Sequence, residues 1–183
     1  ERYRLKSVTS PTGNTYSFTL DEIGRISSVL LPDGNTVGYT YDVNGNLAEV
    51  KEATGSTLRY VYDENSLMTE WYDGSGNRVI KNTYDADGRV ITQTDGNGNI
   101  STLAYTEGVT YATDAAGNTT AYAYDDQCRT TSITYPDGFI DTHSYDEHGN
   151  LTSDAYGVYT SDTLGNRISS RDANGANTTA AYD

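Results

Sequence analysis

The chain has 183 residues and sets 26 Asp and Glu against 12 Lys and Arg, a formal net charge of −14 that argues against nucleic-acid phosphate or an anionic membrane as a partner. Hydrophobic residues make up 35 % with tyrosine counted, and no run approaches the roughly 20 apolar residues of a membrane span. A lone cysteine, Cys128, excludes a disulfide framework and a Cys-based metal site.

Along the chain one dipeptide keeps returning. The pair occurs at Tyr41-Asp42, Tyr62-Asp63, Tyr84-Asp85, Tyr124-Asp125, Tyr145-Asp146 and Tyr182-Asp183, and the same slot is filled by Leu20-Asp21, Tyr105-Thr106 and Ser161-Asp162. Successive anchors are 21, 21, 22, 21, 19, 21, 16 and 21 residues apart. Glycines at 13, 34, 55, 76, 98, 117, 138 and 175 precede the next anchor by seven residues, or by eight once. A further glycine follows the anchor by four, as Gly24, Gly45, Gly88, Gly149 and Gly165, with Arg or Asn after it. Periodicity of this length marks a repeat array, expected to span residues 1–183 as one domain of about eight to nine units.

Each unit reads as two strands and two turns. Val37-Gly38-Tyr39-Thr40-Tyr41 alternates large and small residues, as do Tyr60-Val61-Tyr62 and Tyr122-Ala123-Tyr124, which is the period of a strand with one face covered. After the turn the spacing becomes three, at Ile26 and Val29, Leu47 and Val50, and Met68 and Trp71, which predicts a β-bulge or strong local twist. Asp-Gly and Asn-Gly pairs such as Asp33-Gly34, Asn44-Gly45 and Asp137-Gly138 mark the turns. The fold class expected is all-β: tandem antiparallel hairpins, about 17 strands of roughly six residues, forming a strip that strand twist must coil into a partial shell. Tyr41, Tyr62, Tyr124 and Tyr145 are expected to stack as a row between hairpins. Strand edges at the two ends invite self-association.

Four departures stand out: Ser66 and Cys128 occupy glycine slots, Tyr105 lacks its aspartate, and the unit ending at Ser161 shrinks to 16 residues, which predicts a shortened hairpin.

Read as a unit, Asp33 to Leu47 (DGNTVGYTYDVNGNL) resembles the YD-repeat family, also called the RHS repeat, and the resemblance extends over nearly the whole chain. That family includes bacterial Rhs polymorphic toxins, the C components of insecticidal Tc toxin complexes, wall-associated proteins and animal teneurins. The resemblance implies a β-shell that wraps cargo or serves as an extracellular scaffold, and so a structural segment that encloses or presents a C-terminal effector, in first place a bacterial toxin. It further implies a secreted or cell-surface setting. The partners expected are other repeats of the parent protein, its enclosed effector, and a glycan or cell-surface protein if the chain is instead an adhesion or carbohydrate-binding module. Starting without Met and ending on an anchor, the chain reads as a segment of a longer protein. The repeat-defining positions are Tyr41, Asp42, Gly45, Tyr62, Asp63, Tyr84, Asp85, Gly88, Tyr124, Asp125, Tyr145, Asp146, Gly149, Tyr182 and Asp183.

No catalytic, cofactor or metal site is expected. His143, Asp146 and His148 form the one local group suggesting acid-base or metal chemistry, but His143 falls in a strand slot and His148 in a turn slot. The runs Asp73-Gly74-Ser75-Gly76-Asn77 and Asp95-Gly96-Asn97-Gly98-Asn99 imitate calcium loops yet lack the later glycine and glutamate, so turn chemistry explains them. Recurrence at every turn likewise assigns the anchor aspartates to backbone amides rather than to paired catalysis. Asn-x-Ser/Thr tripeptides at Asn99, Asn118, Asn150 and Asn177 would matter only in a eukaryotic secretory setting and are expected by chance in a chain this rich in Asn and Thr.

Overall fold

The structure is a computed structural model that describes residues 4–182. It contains nineteen antiparallel strands among the described residues and no helix. Contacts divide the chain into two compact units, Glu1–Ile100 and Ser101–Asp183.

In the first unit, β1 (Ser7–Thr9), β2 (Thr15–Leu20), β3 (Ile26–Leu30), β4 (Thr36–Tyr41), β5 (Leu47–Lys51), β6 (Thr57–Tyr62), β7 (Met68–Tyr72), β8 (Arg78–Tyr84) and β9 (Val90–Asp95) lie side by side in chain order, an open sheet and not a barrel. Register places Phe18 opposite Val29, Val29 opposite Val37, Tyr39 opposite Val50, Val50 opposite Leu58, Tyr60 opposite Trp71 and Trp71 opposite Ile80. Since side chains alternate across a strand, these share one face. The other face carries Thr19, Ser28, Thr40, Glu49, Arg59, Val61, Glu70, Tyr72, Lys81 and Thr83, with Glu49 opposite Arg59 and Glu70 opposite Lys81. One layer of sheet cannot bury either face: among the described residues no hydrophobic side chain is fully buried, and only Asn82 and Asp141 are.

Seven anchors each face a β-bulge. Tyr41 pairs with Leu47 while Thr40 pairs with Glu49, so Ala48 is the extra residue; Leu20, Tyr62, Tyr84, Tyr124, Tyr145 and Ser161 repeat the pattern. This extra residue turns the expected alternation after the turn into spacing by three. Where the bulged residue carries a hydroxyl it can return a bond to the opposite strand, as Ser27 to Thr19 O at 3.2 Å and Thr69 to Val61 O at 3.2 Å.

The second unit begins with β10 (Ile100–Thr106), β11 (Val109–Thr113), β12 (Thr119–Tyr124), β13 (Thr130–Thr134) and β14 (Ile140–Thr142), and ends with a five-stranded sheet of β15 (Ser144–Tyr145), β16 (Leu151–Asp154), β17 (Gly157–Ser161), β18 (Arg167–Asp172) and β19 (Asn177–Thr179). The two shortened spacings, of 19 and 16 residues, come from two-residue turns. Without an aspartate at Thr106 the chain turns through Glu107-Gly108, with Thr106 opposite Val109 and no bulge. The 16-residue unit turns through Ala155-Tyr156, with Asp154 opposite Gly157. A Cβ on Gly157 would stand 2.3 Å from Arg171 O, so the shortened hairpin requires glycine there. Strand count exceeds expectation partly because His143 divides one strand into β14 and β15.

Ser66 and Cys128 adopt φ of 63° and 60°, the left-handed conformation of the glycines they replace. A Cβ there costs about 1–2 kcal/mol, partly offset because glycine loses more freedom on folding. Ser66→Gly and Cys128→Gly are each expected to stabilise the chain by about 0.5–1 kcal/mol, read as a higher denaturation midpoint. A lowered midpoint for either would show that the position is not strained.

Candidate functional site

The repeated anchor is built from one turn and one backward reach. In the turn, Asp42 N donates to Asn46 O at 2.8 Å and Gly45 N to Asp42 O at 3.0 Å, with Gly45 at φ 91°. Asp42 Oδ1 accepts Asn44 N at 2.9 Å and Asn46 N at 2.8 Å, while Oδ2 accepts Asn46 Nδ2 at 2.9 Å. Asp146 makes the same clasp on His148 N, Asn150 N and Asn150 Nδ2. At Asp85 and Asp125 the fourth residue is Arg, and Nε of Arg89 or Arg129 replaces the amide at 2.8 and 2.7 Å. Asp63 keeps both backbone bonds, to Asn65 and Leu67, and Leu67 offers no side-chain donor. Gly88 and Gly149 take φ of 78° and 86°. Asp183 lies outside the described residues.

The tyrosine reaches back one hairpin. Tyr41 OH donates to Ile26 O at 2.8 Å, Tyr145 OH to Thr130 O at 2.8 Å and Tyr182 OH to Arg167 O at 3.2 Å; Tyr84 OH donates to Met68 O. Each acceptor is the first residue of the strand after the previous turn, so the hydroxyl fastens consecutive repeats. Tyr84 is joined by buried Asn82, whose Nδ2 reaches Met68 O and whose Oδ1 accepts Gln93 Nε2 at 3.1 Å. Tyr62 and Tyr124 are half-buried at the same slot, and burial raises the pKa of the Tyr62 hydroxyl.

The expected ring-on-ring row is corrected by the structure: Tyr41, Tyr62, Tyr124 and Tyr145 do not stack on one another. Hairpins set the rings a full repeat apart, and two of the four, Tyr41 and Tyr145, pack against an arginine instead. The Arg25 guanidinium lies 4.1 Å from the Tyr41 ring centre and that of Arg129 lies 4.8 Å from Tyr145, each held from beneath by the aspartate of its own turn. Arg59 over Tyr72 and Arg167 over Tyr159, both at 3.8 Å, use the same contact.

The opposite rim uses this clasp too, as the turn chemistry expected of the calcium-like runs implied. Asp73, Asp95, Asp114 and Asp172 each accept two backbone amides through Oδ1, and the calcium-like loops are therefore occupied turns. Spacing of Asp and Gly by three, read at both ends of the unit, was the available signal. The histidines go separate ways: His148 N caps Asp146, whereas His143 Nε2 lies 3.1 Å from Oδ2 of Asp141. Oδ1 of Asp141 accepts Ala155 N at 2.7 Å across the shortened hairpin. Asp154 accepts Tyr156 N, Gly157 N and Tyr159 OH beside them.

Several of the clasped carboxyls titrate low. Asp42, Asp95, Asp114, Asp146 and Asp162 are held below the ordinary 3.8 chiefly by the amide side chain four residues on, Asp125 by the Arg129 side chain, and Asp85 by the Arg89 backbone amide. A folded-state value below the unfolded one gives stability that is present above the unfolded value and lost as pH falls through the folded one. The melting temperature is expected to fall as pH drops from about 5 to about 1, and a melting temperature constant across that window would dissociate the clasps from stability.

Two family profiles match this pattern: RHS Repeat over residues 4–36 and 21–57, and Teneurin YD-shell over residues 51–155. No curated protein matches the chain in sequence. In fold, the chain is similar to a chain in the crystal structure of TcdB2-TccC3-Cdc42, with 16% identity and a TM-score of 0.72, covering 91% of this chain and 12% of that one. A Photorhabdus luminescens Tc holotoxin pore with a mutated TccC3 gives 16% identity and 0.70 over the same shares. The chain thus spans about 12% of the length of these structural neighbours. With one profile covering more than half of its residues and the Tyr-Asp clasp in register along it, the chain belongs to the YD-shell family of RHS-repeat proteins.

Proposed function

We propose that this chain is a wall segment of a β-shell that encloses or presents a C-terminal effector, with a bacterial toxin as the foremost case and a secreted or cell-surface setting. One observation carries the reading: in the first unit the hairpins form a single layer with one apolar face and one that bears the charged residues, and no hydrophobic side chain is buried among the described residues. Such a layer gains its stability from ladder pairing between neighbours, so its product is extended surface. An apolar face of that extent suits a lining that meets a polypeptide held inside, while the charged face meets water. The role is structural; the described anchor aspartates are consumed in turns, and hydroxyls of several anchor tyrosines are consumed in repeat-to-repeat bonds. No helix of the described residues is long and apolar enough to cross a membrane. Limited proteolysis of the complete gene product tests the reading. A non-repeat polypeptide is expected to survive as long as the repeat wall is intact and to be digested once the wall is unfolded. Equal digestion in both states would sink the proposal.

A further inference from the structure

We propose that the rim groove formed by Tyr135, Phe139 and Tyr156 with Asp137 and Asp114 is a receptor for an arginine side chain presented by another polypeptide, a property that goes beyond the shell role. The groove is open to solvent and lies in the second unit, lined by Asp114, Asn118, Tyr135, Pro136, Asp137, Phe139 and Tyr156.

It exists because two neighbouring turns depart from the repeat. In Leu31-Pro32-Asp33-Gly34-Asn35 the carboxylate of Asp33 is satisfied on both oxygens, by Asn35 N at 3.0 Å and Asn35 Nδ2 at 2.9 Å. The sister turn Tyr135-Pro136-Asp137-Gly138-Phe139 has the same backbone bonds, but Phe139 has no side-chain donor. Asp137 Oδ1 accepts Phe139 N at 3.0 Å, and Oδ2 is left without a partner among the described residues. The Tyr135 and Phe139 rings, 5.8 Å apart at 30°, replace the missing clasp. The shortened hairpin then sets Tyr156, 63% exposed, against this pair, and Phe139 is itself 47% exposed.

Aromatic faces beside a carboxylate bind soft cations. This chain fills that combination with its own arginine in two anchor turns: Asp21, Arg25 and Tyr41, and Asp125, Arg129 and Tyr145. At the rim groove the rings and the carboxylate are present, and none of its lining residues is an arginine. The net charge of −14 favours a cationic guest. Guanidinium is preferred to ammonium because its plane can stack on a ring while its edge meets Asp137.

Titration of the whole chain with a capped Gly-Arg-Gly peptide, followed by NMR, tests this. Saturable shifts are expected at Phe139 and Tyr156 below about 10 mM, with the citrulline peptide, which keeps the shape and lacks the charge, at least tenfold weaker. Asp137→Asn and Tyr156→Ala, both on exposed side chains, are expected to weaken binding at least tenfold with the melting temperature unchanged, and Phe139→Leu to weaken it while keeping apolar bulk. Equal binding of the citrulline peptide, binding by Tyr156→Ala as tight as by the original chain, or no saturation by about 10 mM would each overturn the proposal. So would a neutral oligosaccharide, run as a parallel arm, that saturates the same resonances more tightly than the arginine peptide.

Discussion

Asp141→Ala is expected to destabilise the chain by about 3 kcal/mol, because removing one member of a buried polar pair leaves the other uncompensated. Asp141 is 3% exposed, and its two oxygens face Ala155 N at 2.7 Å and His143 Nε2 at 3.1 Å. Elsewhere on this face the slot opposite Ile133 would hold an apolar residue, as Leu58 does opposite Val50. Here a carboxylate takes it and ties β14 to the two-residue turn of the shortened hairpin. Its loss therefore removes the tie between β14 and the five-stranded sheet at the point where His143 breaks the strand. Asp141→Asn retains an acceptor for Ala155 and is expected to cost about 1 kcal/mol. Chemical denaturation of both variants, with amide exchange at Ala155, checks the claim; an Asp141→Ala midpoint matching the original would refute it.

The period of the array was legible because each unit repeats its own punctuation. Asp42, Gly45 and Leu47 announce a turn closed by a left-handed residue and followed by a bulge, and every part of that statement is local. Even the exceptions could be read locally, since Ser66 and Cys128 sit in glycine slots and adopt glycine backbone conformation. What stayed hidden depends on register between hairpins. The Tyr41 hydroxyl finds Ile26 O fifteen residues back, and Arg25 finds the Tyr41 ring sixteen residues ahead, only after two strands have paired. A row of tyrosines in sequence suggested stacking, but a repeat of two strands separates the rings and leaves room for arginine. Asp141 was invisible for the same reason: a shortened hairpin was expected, but that its turn sets Ala155 N against the Asp141 carboxylate depends on pairing fourteen residues apart.

Tyr84→Ala is expected to cost about 3 kcal/mol, in line with other truncated aromatics, and to do so through repeat-to-repeat fastening rather than through a core. Tyr84 is half-buried opposite the bulge at Val90 and Thr92, its hydroxyl donates to Met68 O, and Asn82 Nδ2 approaches both groups. Truncation removes the ring from the apolar face and strips Met68 O and Asn82 of a shared partner, at a position where Asn82 is 7% exposed. Tyr84→Phe separates the contributions: the ring remains, the hydroxyl bond goes, and the expected cost is about 1 kcal/mol. Tyr182, 57% exposed with a 3.2 Å bond to Arg167 O, serves as the internal control, and Tyr182→Ala is expected to cost no more than about 0.5 kcal/mol. Denaturation midpoints ordered Tyr84→Ala below Tyr84→Phe below Tyr182→Ala would establish the fastening role. A Tyr84→Ala midpoint as high as that of Tyr182→Ala would instead mean that the anchor tyrosines are surface groups free to serve a ligand, because a tyrosine that joins two repeats cannot be removed without loosening both.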